Sequence, residues 1–399
     1  MSHAALKIGV AGAGIAGLAA AALLARDGHK VDVFDQFPSP QPVGSGLMVQ
    51  PVGLAVLRSL GLATRLTALA RPVVRVLGHN HDGRAVLDVR YEDLRADATG
   101  YGTQRGLLFN LLLEAAMTHG ARLHTEAEIR AARTGAGGTE LLGADGSRGR
   151  YDLVLDCLGA TSPLCGRPAR PLAFGALWAL LDADDAGGLR DDWLEQRYHR
   201  AAQMAGVLPV GRLHRGAPEK LTFFWSLRGR DHAAWCDTPL AVWKEEVRAL
   251  WPATAPLLER ITSHDDLIFA RYTHRTLYRP ATSRVVHLGD SFHATSPQLG
   301  QGANMAMLDA FSLAEALRLD ADVGAAISRY QRMRRWHVWL YQTASWLFTP
   351  VYQSDSRVLP WLRDWVTAPL GRVPPVARIL ARLVAGETGD PLGRIERVR

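Results

Sequence analysis

Residues 12–17 read Gly-Ala-Gly-Ile-Ala-Gly, set between an apolar alternation, Leu6, Ile8 and Val10, and an Ala/Leu-rich stretch that stops at Gly28. That order dictates the local chain path: a strand, a tight turn, a helix, and a second strand carrying Val31 and Val33. Gly12 permits the turn, Gly14 lets a phosphate approach the backbone, and Gly17 lets the helix pack closely on the strand. A pyrophosphate then sits at the helix N-terminus, whose first turn holds Ile15 and Ala16. Asp35 ends the second strand 18 residues after Gly17, the place of an acid that binds a ribose hydroxyl. The combination predicts an α/β dinucleotide-binding unit. It leaves the dinucleotide open, because NAD and FAD use the same fingerprint.

The whole 399-residue chain, 48% hydrophobic, exceeds one compact domain and predicts two lobes with a tail. No run of about 18 uncharged apolar residues predicts a spanning helix, and the first ten residues enter a strand without a leader pattern. The expectation is a cytoplasmic protein. Cys157, Cys165 and Cys236 form no CxxC pair, so buried thiols are expected rather than disulfides or a structural zinc site, and no metal is assigned. From Arg329 to Arg399 twelve Arg or Lys face five Asp or Glu, an excess equal to the +7 of the whole chain. Such a tail suits acidic surfaces or a solvated face, and without a recognised module it argues against nucleic acid.

Far downstream, residues 284–317 run from an apolar strand through a glycine-rich loop into a helix-like segment. They carry Gly289-Asp290, His293, Pro297, Gly300-Gln301-Gly302, Asn304 and Asp309-Ala310. Asp290 is placed to accept hydrogen bonds from a sugar-alcohol chain. The N–H groups of Gly300, Gly302, Ala303 and Asn304, at a helix N-terminus, are placed to stabilise an anion such as a reduced flavin. His293 reads as a structural histidine and Pro297 as a rigid edge to the loop.

With the N-terminal fingerprint, this loop makes residues 5–340 resemble the FAD-dependent aromatic hydroxylases of the para-hydroxybenzoate hydroxylase type, the single-component flavoprotein monooxygenases. The resemblance implies non-covalent FAD held by Gly12, Gly14, Ile15, Ala16 and Gly17, and by Asp35, Gln36 and Ala127. Gly46, in the 42–62 segment, and Arg105, opening a helix after Gln104, stand beside the flavin and its phosphates. Asp290, Pro297, Gly300, Gly302, Ala303 and Asn304 complete the set. It also implies NADH or NADPH as a transient reductant, O2 as co-substrate, and hydroxylation of an aromatic or heteroaromatic molecule through a flavin C4a-hydroperoxide. One family signature is altered: Leu158 replaces an acid in DLVLDCLGATS, and Asp156 stands two positions earlier. That change favours, as an alternative, a flavin oxidase, reductase or Baeyer-Villiger-type oxygenase on the same scaffold; a non-catalytic FAD-binding module is the second alternative.

The expected fold is α/β: a Rossmann-like, glutathione-reductase-type FAD domain (1–72, 98–170 and 280–340), a substrate domain (73–97 and 171–279) and a C-terminal helical segment (341–399). Short apolar/polar alternations in the middle predict a mostly antiparallel sheet. Tyr272, Trp225, His214 and His274 are the pocket candidates there. In the tail, Trp336, Trp339, Leu340, Thr343, Trp346 and Leu347 recur at helical spacing, and such a stripe is expected to dock on the domain. The tail is similar to those of ubiquinone-biosynthesis hydroxylases, which implies a hydrophobic substrate or peripheral membrane contact. A monomer or homodimer is expected.

Overall fold

The computed structural model describes residues 5–39, 45–184 and 186–389; residues 42–44 of the expected flavin-side segment and 390–399 of the basic tail lie outside them. Five parallel strands form the central sheet, in the order Val285–His287, Leu153–Asp156, Lys7–Ala11, Lys30–Phe34, Arg122–His124. A parallel sheet is covered on both faces, so its central strands are mostly apolar; Ile8, Val10, Leu153 and Leu155 have no solvent exposure. The Ile15–Arg26 helix, buried from Ala16 to Ala25, packs against the Arg105–Thr118 and Gly302–Leu319 helices. Small side chains let these axes come close. Gly12 has φ +101°, and a Cβ there would lie 2.5 Å from the Cys157 carbonyl oxygen; at Gly17 a Cβ would lie 2.0 Å from that of Gly12. The fingerprint is therefore a steric requirement of the strand–helix junction as well as a ligand loop.

The second layer is a seven-stranded sheet in the order Ile268–His274, Arg170–Asp182, Lys220–Arg228, Gln203–Gly211, Trp193–His199, Arg75–Asn80, Ala85–Arg90. Its pairings are antiparallel except that of Trp193–His199 with Arg75–Asn80. One face is sealed by the Leu240–Leu250 helix through Trp225, Trp235, Trp243 and Trp251; alternation along the strands presents the opposite residues to the nucleotide-binding lobe.

Two expectations are revised in the C-terminal part. The division at residue 340 falls inside one helix, Val323–Tyr352. The tryptophan stripe does not dock: Trp336, Trp339 and Trp346 are exposed, and the face turned inward carries Arg334, His337, Val338, Tyr341, Gln342 and Ser345. Those polar groups are buried because each finds a partner, as Tyr341 Oη donates to the Leu383 carbonyl at 2.8 Å and Gln342 Nε2 to that of His293 at 2.7 Å. Cys236 is likewise exposed, unlike Cys157 and Cys165.

His337 is held uncharged. Burial, reinforced by the Arg334 guanidinium, lowers its pKa from 6.5 to about 3, and Arg334 Nη1 lies 3.0 Å from Nδ1 while Nε2 lies 3.1 Å from the Gly386 carbonyl oxygen. Donation by the guanidinium makes Nδ1 the acceptor and Nε2–H the donor. The folded state stays unprotonated where the unfolded chain takes up a proton, so this contribution is complete above pH 6.5 and is lost as pH falls toward 3. Stability should fall by about 2–3 kcal/mol from this group between pH 6.5 and about pH 4.5. Denaturant unfolding across that range should show a shallower acid slope for His337→Gln than for the parent protein; identical slopes would refute the assignment.

Candidate functional site

At the nucleotide end the Gly12 N–H donates to the Phe34 carbonyl at 2.8 Å. Asp35 accepts from the Ala13 N–H at 2.9 Å and from the Phe37 N–H at 3.0 Å. Asp35 therefore braces the glycine turn while still lining the cavity. The Ile15–Arg26 helix has no side-chain cap and no acid in its first turn, which leaves first-turn N–H groups for an anion. Gly12, Gly14, Ile15, Ala16, Asp35, Gln36 and Ala127 all border this cavity of about 560 Å³. Gly17 does not border it, and its function is the close packing already described.

The other wall is the Gly289–Asp290 turn. Gly289 takes φ +63°, and its N–H donates to Asp309 Oδ2 at 2.9 Å. Asp290 faces open cavity space while protein surrounds it; burial raises its carboxyl above the usual range, against the pull of His293 and Arg105. Arg105 opens the Arg105–Thr118 helix, its own N–H donating to the Ser45 carbonyl at 3.0 Å. Burial lowers its guanidinium, with Asp290 opposing, and Nε lies out of solvent without an acceptor. An uncapped helix end facing an unpartnered cationic donor fits a phosphorylated ligand such as FAD.

One N–H donor expected in the 300–304 loop has another partner, and the Asn304 side chain is engaged away from the cavity. The Gly300 N–H closes a turn on the Pro297 carbonyl at 2.9 Å. The Asn304 side chain, fully buried, accepts from the Gln50 N–H at 2.8 Å and donates to the carbonyls of Met48 and Gly300, each at 2.9 Å. Asn304 thus staples the loop to the Gly46–Val49 strand rather than reaching the cavity. Gly302 and Ala303, at the start of the Gly302–Leu319 helix, do line it, whereas Pro297 and Gly300 border only the second cavity, described next. His293 lines neither this cavity nor the second, and its Nε2 lies 2.7 Å from Asp309 Oδ2.

A second cavity of about 330 Å³, bordered by Gly46, shares Arg105, Asp290, Gly302 and Ala303 with the first, so the two halves meet at that throat. Tyr272 lines it, its hydroxyl accepting from Trp178 Nε1 at 3.1 Å. The other candidates fall elsewhere. Trp225 points to the far side of the sheet and meets Trp243 edge-on, with ring centroids 6.4 Å apart; its neighbour Phe224 takes the cavity position. His214 is exposed in the turn after Gln203–Gly211, and His274 is half-buried outside the cavity. One residue of strand register decides between Trp225 and Phe224. Leu380, Leu383 and Val384 of the Pro374–Val384 helix close the cavity; the amphipathic spacing of VARILARLV was the available signal.

Leu158 borders the first cavity, and Asp156 does not replace the missing acid. Asp156 is fully buried behind the turn, where Ser162 Oγ donates to it at 2.7 Å and His287 Nδ1 lies 2.7 Å away. Cys165, whose thiol burial pushes up to about 12, donates to Asp156 at 3.4 Å and to the Ser291 carbonyl at 3.2 Å.

A family model described as an FAD binding domain matches residues 5–343. The aurachin C monooxygenase/isomerase of Stigmatella aurantiaca is 25% identical over 375 residues, covering 90% of this chain and 93% of that protein. The 3-amino-4-hydroxybenzoate 2-monooxygenase of Streptomyces cremeus is 31% identical over 360 residues, covering 82% of this chain and 83% of that one. Among solved structures, a variant of HpxO from Klebsiella pneumoniae complexed with FAD superposes with a TM-score of 0.81 at 20% identity, covering 96% of this chain and 99% of that chain.

The two loop glycines separate binding from folding. A Cβ at Gly14 would meet no atom within 4 Å, so Gly14→Val should melt like the parent apoprotein yet bind FAD at least tenfold more weakly, as read by flavin titration. Gly17→Val, built against the Gly12 carbonyl, should cost about 3 kcal/mol or more in denaturant unfolding. Undiminished FAD affinity in Gly14→Val would refute the placement of the phosphates.

Proposed function

The chain belongs to the FAD-dependent aromatic hydroxylase family, and we propose that this FAD-dependent monooxygenase acts on an uncharged, lipophilic aromatic or heteroaromatic molecule with NADH or NADPH as the transient reductant. The observation that carries the substrate reading is the lining of the second cavity. Beyond the throat residues Arg105 and Asp290, none of its described lining residues is charged. A substrate carboxylate placed there would be desolvated without a cation, at a cost of several kcal/mol.

Bound FAD would supply the electrons and the dioxygen-activating chemistry, with the transferred oxygen atom coming from O2. In this reading the first-turn N–H groups after Gly14 would hold the pyrophosphate, Asp35 the ribose, and Asp290 with Arg105 the ribityl chain. The N-terminus at Gly302 and Ala303 would favour negative charge on the reduced ring by about 0.3–1 kcal/mol, and up to about 2 in a partly buried site. Trp178, Phe224, Phe348 and Tyr352 exclude water around the substrate.

Tyr272 positions the substrate. Burial raises its phenol, so it stays protonated. Its oxygen already accepts from Trp178, which leaves the hydroxyl hydrogen for a carbonyl, ring nitrogen or phenol oxygen of the substrate. The substitution Leu158 puts an apolar side chain where the family has an acid. The reductant therefore has to bind without that carboxylate, and weak nicotinamide affinity is expected.

The test is turnover under isotopically labelled dioxygen with neutral bicyclic heteroaromatics such as quinolones and with their carboxylated analogues. The neutral compounds should incorporate label and exceed the carboxylates at least tenfold in kcat/KM; the reverse ranking would overturn the substrate reading, and product without label would overturn oxygenation. Tyr272→Phe should lower kcat/KM by roughly tenfold to a hundredfold, the range of one lost hydrogen bond in a buried site, with flavin content unchanged. Anaerobic mixing with NADH or NADPH in the presence of a substrate should bleach the flavin.

A further inference from the structure

The tail presents an outward surface that the oxygenation reading leaves unused. On the Val323–Tyr352 helix, Arg332, Arg335, Trp336, Trp339, Trp346 and Leu347 are all exposed. At 3.6 residues per turn they occupy an arc of about 120°. Trp336 is 61% exposed and Trp346 67%, while Trp336 and Trp339 stack with ring centroids 4.8 Å apart. The following short helix, Val358–Leu362, exposes Trp361. Contiguous exposed tryptophans are uncommon on a soluble surface, and tryptophan is the residue enriched where apolar and wet phases meet.

The charge beside them has one sign. Arg332, Arg335, Arg357 and Arg382 are exposed, and none is in an ion pair among the described residues; Arg378 instead borders a separate groove with Asp88, Glu92 and Asp93. The acids of the same stretch are already neutralised: Asp355 pairs with Arg228, Asp364 with Arg363 and Glu387 with Arg95. A two-fold pairing of this face with a second copy would bring the arginines of both chains together, which is unfavourable. An anionic lipid surface satisfies both the rings and the cations.

We propose that the outward face of the Val323–Tyr352 helix, with the Arg-bearing helices that follow it, docks the protein on an anionic bilayer surface. No described helix is long and apolar enough to cross a membrane, so the contact is interfacial. The helices that carry this surface also line the substrate cavity with their other faces: Phe348 and Tyr352 from the first, Leu380, Leu383 and Val384 from Pro374–Val384, whose outer side exposes Arg378, Ile379 and Arg382. If the substrate is lipophilic, as proposed above, docking sets its cavity against the phase in which it dissolves. The docking itself does not depend on the reaction performed.

The test uses the full-length flavoprotein and unilamellar vesicles of phosphatidylcholine with or without phosphatidylglycerol. Co-sedimentation should show at least tenfold stronger partitioning onto the anionic vesicles, weakened by salt, and brominated lipid should quench tryptophan emission. The triple variant Trp336→Ala, Trp339→Ala, Trp346→Ala should partition at least tenfold more weakly with flavin content and melting temperature unchanged. Arg332→Gln and Arg335→Gln should each weaken it roughly fivefold. Equal partitioning onto both vesicle types, or full binding by the triple variant, overturns docking; so does a parent dimer that the triple variant converts to monomers, which assigns the face to a second copy. The readout is lipid binding, so failure here leaves the oxygenation reading standing.

Discussion

One buried carboxylate joins the parts of this molecule. Asp309, with no solvent exposure, accepts from the Gly289 N–H and pairs with His293 through Oδ2, and it accepts from Arg334 Nε at 2.6 Å through Oδ1. Burial pushes its carboxyl up, but His293 and Arg334 outweigh it and hold the group below the usual carboxylate range. Gly289 belongs to the turn that presents Asp290 to the cleft, Asp309 to the central helix, and Arg334 to the C-terminal helix. A buried pair of this kind is expensive to break, on the order of 3–5 kcal/mol when one partner is removed. The left-handed turn at Gly289 and the seating of the last long helix are therefore conditions of each other.

From that anchor the cleft divides by chemistry. Toward Gly12 and Gly14 it is walled by backbone N–H groups, Asp35 and Arg105; toward Phe224 and Leu383 it is aromatic and aliphatic. Arg105, Asp290, Gly302 and Ala303 belong to both halves. A cofactor with a charged end and a flat, weakly polar end matches that gradient. The cleft's polarity follows from the layers: helix N-termini converge on one side, while the inward-facing alternate residues of an antiparallel sheet close the other.

What was legible in the sequence was whatever depends on short spacing. Gly12, Gly14 and Gly17 act within six residues, and Gly289 to Ala303 within fifteen, so strand, turn and helix signals sufficed. Asn304 sits within the same motif yet serves Gln50 and Met48, some 250 residues away in the chain, a partnership that no local pattern encodes. Trp225 and Phe224 are equally plausible cavity residues until sheet register is known. That the Pro374–Val384 helix is a wall of the cavity was not legible either, since amphipathicity reports a buried face without naming what it is buried against.

The tryptophan stripe shows the same limit from the opposite direction. Its helical spacing is a sound sign of an apolar face, and the usual inference is that such a face turns inward. Here the inward position is taken by Arg334, His337 and Gln342, each tied to a partner in the nucleotide-binding lobe or the tail. A helix has one inward face. Once the Asp309–Arg334 pair fixes its rotation, Trp336, Trp339 and Trp346 are carried outward as a geometric consequence. The exposed apolar surface is thus the counterpart of a polar core contact, and the interaction that seats the Gly289 turn is the one that presents the tryptophans to whatever lies outside.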